Sequence, residues 1–316
     1  MEVGKAVKRV IDRVSAAEWQ PPKGRLPVGK TYKMFVGGAF IRSESGRTFQ
    51  VSAIADVSLA DPATVNVPLG SRKDVRDAVL IAKNAQPAWW GRSAYNRGQI
   101  LYRLAEVMEA RREELTQSLV RGGADKTAQS EVDSAIERTV YYAGFCDKVA
   151  ALLTTQSPTG GPHFTFSVAE PMGVVGIVAP PQPALLGLVS SVLPVIAGGN
   201  TCVAIASESD PRTSVLFCEC LATSDLPAGV VNVLTGQAAD LGVQLAKHRD
   251  VAGIDLWSDS NELRMQVERD GAESVKRVTT HDTMPTERWI DSAVGQGLGW
   301  VERFVETKTV WHPVGL

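Results

Sequence analysis

From Gly173 the chain settles into a repeat of short apolar run, helical stretch and short apolar run. The runs "VVGIV", "TCVAIA", "GVVNVL", "GIDLW" and "VKRVTT" alternate with "ALLGLVSSVLPVIA", "RTSVLFCECLAT", "ADLGVQLAKH" and "ELRMQVERD". Five short strands separated by four helices call for a parallel sheet, because each helix carries the chain back to the starting edge. Crossovers of one hand then place helices on both faces. The predicted fold class is α/β, a doubly wound, mainly parallel sheet of nucleotide-binding type. After Asp282 the alternation stops, and "VERFVETKTVWHPVG" reads as one last, largely β-branched strand.

Upstream, "TYKMFVGGAFIRSESGRTFQVSA" alternates and turns like a β-hairpin. Ser71 precedes "RKDVRDAVLIAKNAQPAWW", and Asp74 completes a start of capping-box type. "NRGQILYRLAEVMEARREELTQSLV" spaces its apolar residues by three and four, and "QSEVDSAIERTVYYAGFCDKVAALL" makes a third helix. "TTQSPTGGPHFTFSV" breaks it and offers a strand around Phe164 and Phe166. At the start, Val3, Val7, Val10 and Val14 recur at helical spacing, predicting an amphipathic helix over 1–18 with an extended "QPPKGRLPVGK" behind it. That helix reads as docking on its own domain, with a targeting or partner-binding peptide as the alternative.

The formal net charge of −2 over 316 residues argues against nucleic acid or an anionic membrane as main partner. Cys146, Cys202, Cys218 and Cys220 have no metal-type spacing, and Cys218 and Cys220 face different directions on a helix. That cysteine usage makes a reducing cytoplasm the expected setting, with no metal expected; separately, no stretch is long and apolar enough to span a bilayer.

The motifs "FVGGAF", "EPMGVVGIVAP", "AGGNT", "LPAGVVNVLTG", "VKRVT" and "ETKTVW" follow one another in an order and spacing that resembles the aldehyde dehydrogenase superfamily. The resemblance covers Tyr32 to Thr280 and the last fifteen or so residues. It implies a Rossmann-like cofactor domain (19–150 and 171–285), a catalytic domain inserted near the C-terminus, and an oligomerisation β-arm (151–170 and 298–316). In such enzymes a cysteine forms a thiohemiacetal with the aldehyde, hydride passes to NAD(P), and water releases the acid. Here the stretch expected to hold the catalytic domain is "DTMPTERWIDSAVGQG", and no cysteine follows Cys220. The resemblance therefore implies a member without its catalytic domain or nucleophile, similar to the incomplete second copy of two-copy family members.

The site positions carried over by the resemblance are altered one by one. The oxyanion-stabilising asparagine falls at Gln182, whose extra methylene moves the amide; losing such a donor costs about 2.7–4 kcal/mol. Its neighbouring tryptophan falls at Pro181. The ribose-binding lysine falls at Ile205, removing a charge-assisted contact worth roughly 1.5–3 kcal/mol. Glu208 keeps the partner glutamate's place, either on a ribose or as a solvated carboxylate. The Gly-Ser that meets the pyrophosphate falls at Ser258 and Asp259; Asp259 is expected to cap the helix itself and to repel a phosphate. Gly236 and Gly242 persist, with Ala238 between them in place of a glycine. The general-base glutamate falls at His281, which cannot pair with Asp282 because neighbours on a strand point to opposite faces.

Degenerate Gln182 and His281 leave no catalytic residue expected, and remnant Glu208, Gly236 and Gly242 leave NAD(P) binding weak. The arm, by contrast, keeps both its pieces. Exposed strand edges need cover, and a chain without a catalytic domain cannot cover its twin in the family's reciprocal manner. The expected partner is a full-length aldehyde dehydrogenase, met through Phe164, Phe166, Phe304, Val305, Val310 and Trp311, with a homo-oligomer as the alternative. The reading is thus a non-catalytic subunit. The alternatives are an NAD(P)-dependent aldehyde oxidoreductase, alone or through a composite site, and a nucleotide-sensing module. The 283–297 stretch is expected either to form a helix or merely to bridge the gap.

Overall fold

A computed structural model describes residues 29–53 and 64–314. The chain divides into two compact units, residues 1–30 with 58–62 and residues 31–57 with 63–316. The expected helix over 1–18 lies outside the described residues, and everything below concerns the second unit.

Strands β1 (Met34–Val36) and β2 (Ala39–Ile41) form the expected hairpin. Its two turn residues, Gly37 and Gly38, both have positive φ (61° and 77°), the backbone that a two-residue hairpin turn requires. Strands β3 (Thr48–Ser52) and β4 (Thr64–Pro68) pair beside it. Helix α1 (Arg72–Trp90) starts with the capping box: Ser71 Oγ accepts from the Asp74 N–H, and Asp74 accepts from the Ser71 N–H. The two helices expected next are each divided. Arg111, with φ −110° and ψ 15°, separates α2 (Ala94–Ala110) from α3 (Arg112–Arg121). A turn at 146–148 separates α4 (Ala128–Phe145) from α5 (Val149–Leu153).

The alternating half folds as its periodicity requires. The elements run β7 (Val174–Val178), α6 (Ala184–Ala197), β8 (Thr201–Ile205), α7 (Pro211–Thr223), β9 (Val231–Leu234), α8 (Ala238–Lys247), β10 (Val251–Trp257), α9 (Asn261–Ala272) and β11 (Arg277–His281). The seven-stranded sheet has the order β11-β10-β7-β8-β9-β1-β2, parallel except for the β1/β2 hairpin. Both faces are buried. Val175, Ile177, Cys202 and Ala204 point into one apolar layer, and Val174, Val178, Val203 and Ile205 into the other. This double burial explains why the strands read as continuous apolar runs.

The stretch after Asp282 is neither one helix nor a plain bridge. It makes three short helices, α10 (Thr286–Ile290), α11 (Ser292–Gly295) and α12 (Leu298–Glu302). Trp289 is fully buried and Trp300 nearly so, both in the same core as α4 and α6. Arg138 of α4 locks the segment, donating to Ser190 Oγ at 2.6 Å and to Trp289 O at 2.8 Å. Gly295 sits against this guanidinium, and a Cβ there would meet its Nη1 at 2.5 Å.

The arm is a three-stranded sheet in the order β12-β6-β5, built from β5 (Thr155–Ser157), β6 (His163–Pro171) and β12 (Val305–Pro313). Residues 298–302, expected in the arm, belong instead to core-packed α12. Two expected contact residues are likewise drawn into the chain's own core: Phe304 is 2% and Val305 8% exposed. Asn200 fixes this root, its Nδ2 donating to Phe304 O at 2.8 Å. Farther out, Phe164 (44%) and Trp311 (62%) stay exposed, while Phe166 and Val310 are half-buried. Register pairs Phe166 with Val310 and Thr165 with Trp311. Phe164, Phe166 and Val310 therefore share one face, and Trp311 lies on the other beside His163.

Candidate functional site at the carboxyl ends of the strands

Strand order reverses between β7 and β10: the chain moves from β7 through β8 to β9, then returns to β10 and β11 on the opposite side. In open α/β sheets a ligand crevice lies outside the strand ends at this switch point. Gln182, Glu208, Ser258, Asp259 and His281 all sit on loops or strand ends at the carboxyl side of this sheet.

Gln182 is exposed, but its amide is directed sideways, with Nε2 donating to Ser209 Oγ at 3.1 Å. Ser207 and Ser209 each donate to Pro181 O at 2.7 Å, so the β7 and β8 loops are laced together. Ile205 is fully buried in the core layer and presents nothing to a ligand. Glu208 accepts through Oε1 from the Ala238 N–H, at the start of α8. Gly236 has φ 149°, and a Cβ would meet Leu241 Cδ1 at 2.9 Å and Gly70 N at 3.1 Å. Gly242 packs on β7, where a Cβ would meet Val178 Cγ2 at 3.3 Å. Chain packing alone thus accounts for both glycines.

Asp259 does not cap α9. Ser260 does, accepting from the Leu263 N–H at 3.2 Å. Asp259 reaches across to the β11 end instead, accepting from Thr283 N at 2.9 Å and from the Thr283 hydroxyl. These hydrogen bonds hold its carboxyl below the usual range. Arg264, which sequence patterning gave no reason to select, ties the same two strand ends. It donates to Ser258 O, to His281 O at 2.9 Å and to Asp282 at 2.6 Å.

A third helix start belongs to this group. Glu131 of α4, 1% exposed, accepts through Oε1 from Leu185 N (2.8 Å) and Leu186 N (3.1 Å) at the head of α6. Burial pushes its pKa up to about 7. Helix N-termini attract anions because their first N–H groups are unpaired. Here α6, α8 and α9 each receive an oxygen of the chain itself, from Glu131, Glu208 and Ser260.

His281 does not pair with Asp282, as strand geometry requires; Asp282 goes to Arg264. Its partner is Asp255, fully buried on β10, with Nε2 2.8 Å from Oδ1. Parallel register sets Trp257 beside His281, and Asp255 lies two residues before Trp257 on the same face. The imidazole stacks on Trp257 (centroids 4.1 Å, planes 18° apart), and Trp257 Nε1 donates to Asp255 Oδ2. Trp289 and Trp300 of the closing segment pack on Trp257 at 4.5 and 5.8 Å, and the Arg303 guanidinium lies 4.6 Å over Trp300. His281 is thus held in an aromatic stack, with its Nε2 committed to a buried carboxylate. The one sequence signal for Asp255 was a charge inside the apolar run "GIDLW".

All four cysteines are buried. Burial pushes the thiols of Cys146 and Cys202 up to about 12 and that of Cys220 up to about 11, with Cys218 raised well above the ordinary value. The thiolate is the reactive form, so none is an activated nucleophile. Among the described residues no cluster of His, Cys, Asp and Glu could hold a metal ion, and no helix is long and apolar enough to cross a membrane.

Fold and crevice define a nucleotide-binding-type α/β domain carrying a β-arm. The family model described as "Aldehyde dehydrogenase family" matches residues 43–281, and the chain belongs to that family. It is 33% identical over 262 residues to cytosolic 10-formyltetrahydrofolate dehydrogenase of Mus musculus, covering 81% of this chain and 28% of the relative. It is 31% identical over 258 residues to the putative aldehyde dehydrogenase DhaS of Bacillus subtilis, covering 79% and 50%. Among solved structures it is similar to a putative aldehyde dehydrogenase from Burkholderia cenocepacia (27% identity, TM-score 0.72, 79% of this chain and 50% of the other). PnpE in complex with nicotinamide adenine dinucleotide is also similar (27%, TM-score 0.73, 79% and 50%). The chain therefore spans half or less of the length of these relatives.

Proposed function

We propose that this chain is a non-catalytic aldehyde dehydrogenase-family subunit, a pseudoenzyme of the cytoplasm that assembles with a complete aldehyde dehydrogenase and organises or stabilises it. The observation that carries the reading is the use of residues 282–304. They link β11 to β12 through α10–α12, and their tryptophans fill the core around His281. A catalytic domain inserted between these strands is the family arrangement; here the connection is spent on packing. The buried, proton-retaining cysteines and the His281–Asp255 pair point the same way. The arm face of exposed Phe164 and half-buried Phe166 and Val310 supplies the docking surface.

A second reading, that the chain retains NAD(P) binding, is favoured by its similarity to a structure holding nicotinamide adenine dinucleotide. The residues do not fit a strong clamp: Ile205 is in the core, Glu208 is taken by Ala238, and the α9 start is taken by Ser260.

The deciding experiment co-expresses the tagged chain with a full-length aldehyde dehydrogenase from the same cell. Expected is a complex of fixed stoichiometry, dispersed by Phe166→Asp together with Val310→Asp, and no aldehyde-dependent NADH from the chain alone. NADH production by the purified chain would overturn the proposal in favour of an enzyme. Calorimetric titration with NAD+ and NADP+ checks the second reading, which a micromolar Kd would support.

A further inference from the structure

A cavity of about 240 Å³ opens where the ends of α1 and α2 meet α5 and the root of the arm. Its walls are mostly apolar: Trp90, Val149, Ala169, Gly198 and Val305, with the buried Cys146 thiol among them. None of its lining residues is among those at the strand-end crevice.

Two arginines line it: exposed Arg92, whose Nη1 donates to Asn96 Oδ1 at 2.9 Å, and Arg97. Arg97 of α2 is only 5% exposed. Its Nη1 donates to Arg92 O at 2.8 Å and Trp90 O at 3.3 Å, carbonyls at the C-terminal end of α1, and the guanidinium lies 5.1 Å over the Trp90 ring. Those contacts occupy one nitrogen. Nε is buried without a hydrogen bond, and Nη2 has no partner among the described residues. No carboxylate of the described residues forms an ion pair with it. A guanidinium stays charged at any accessible pH, and a buried charge normally has a counter-ion. The other buried arginines are engaged by the chain: Arg138 donates through both terminal nitrogens, and Arg212 donates through Nε to Asp210 and through Nη2 to backbone carbonyls.

We propose that this cavity binds a small amphipathic monocarboxylate, its carboxylate on Arg97 and its apolar tail among Trp90, Val149, Ala169 and Val305. The volume falls below the roughly 300–1,000 Å³ of pockets for drug-sized ligands, so the occupant is a short chain. A carboxylate supplies the acceptor that matches the guanidinium, and the walls supply apolar surface to bury. Ala169 and Val305 belong to β6 and β12, so an occupant braces the arm against the body.

The test is isothermal titration of the full chain with hexanoate, and with hexan-1-ol as the uncharged probe of equal tail. Expected is saturable hexanoate binding, weakened about tenfold or more by Arg97→Gln and abolished by Ala150→Trp, which fills the cavity mouth. Hexan-1-ol is expected to bind at least about tenfold more weakly. Should Arg97→Gln fail to fold, Ala150→Trp decides alone, since Ala150 is exposed and its replacement leaves the guanidinium in place. Absence of saturation up to about 10 mM hexanoate would overturn the proposal. So would equal binding of the alcohol, or hexanoate binding untouched by Ala150→Trp.

Discussion

Two side-chain types decide what this chain can do, and both are testable one residue at a time. The cysteines are buried thiols rather than thiolates, so a thiol-specific disulfide reagent at pH 7.5 should label fewer than one per native chain and all four after unfolding. Rapid native labelling of one cysteine would restore a nucleophile and sink the non-catalytic reading. Glu131 makes a different prediction. Its folded pKa of about 7 lies above the ordinary carboxylate value of 4.5, so the folded state holds the proton more tightly. The associated stability is full below about pH 4.5 and is lost as pH rises through 7. At about 1.4 kcal/mol per unit, the loss is on the order of 3 kcal/mol. Urea titrations of Glu131→Gln should show that slope flattened between pH 5 and 8; an unchanged slope would assign it to other groups. At this scale the sequence showed which positions had changed and not what the new side chains hold. Gln182 meets Ser209 and Asp259 meets Thr283, contacts between loops that only the sheet brings together. His281–Asp255 was hidden for the same reason: the partner sits on the neighbouring strand, 26 residues away.

Elements with a strong period were legible nearly to the residue, because their burial is periodic too. "ALLGLVSSVLPVIA" is α6 as it stands, and the capping box of α1 is formed by the two residues that announced it. The divisions at Arg111 and at 146–148 were not legible, since apolar spacing continues through both. The closing segment was least readable. Its helices are four or five residues long, too short for any period, and tertiary contact holds them. That dependence can be measured. Trp289→Ala, which empties a fully buried site, should cost about 3–5 kcal/mol of unfolding free energy in urea. Gly295→Ala, driven against Arg138, should cost about 1–3 kcal/mol. If both were neutral, the segment would be a loose strap and His281 would lose its cover.

For the whole molecule, the sheet places one set of helix heads along a single rim, and the chain satisfies those heads from within. The same economy does not extend to the arm, where Phe164 and Trp311 remain open while the root is sealed by Phe304 and Val305. The strands expected to make the arm pair in one three-stranded sheet, but the sequence did not show where that sheet ends, because a β-branched run looks alike in a core and on a surface. The arm also has a history in time. Ser167 on β6 and Thr309 on β12 are bonded across 142 residues. Closing a loop of that length costs on the order of 4 kcal/mol of chain entropy. At about 5–20 residues per second, a ribosome needs roughly 7–30 seconds to make the intervening chain. Throughout that interval β6 has been made while the strand that covers one of its edges has not. The newborn chain therefore passes through a window in which one edge of β6 is open to pairing with other chains until β12 arrives.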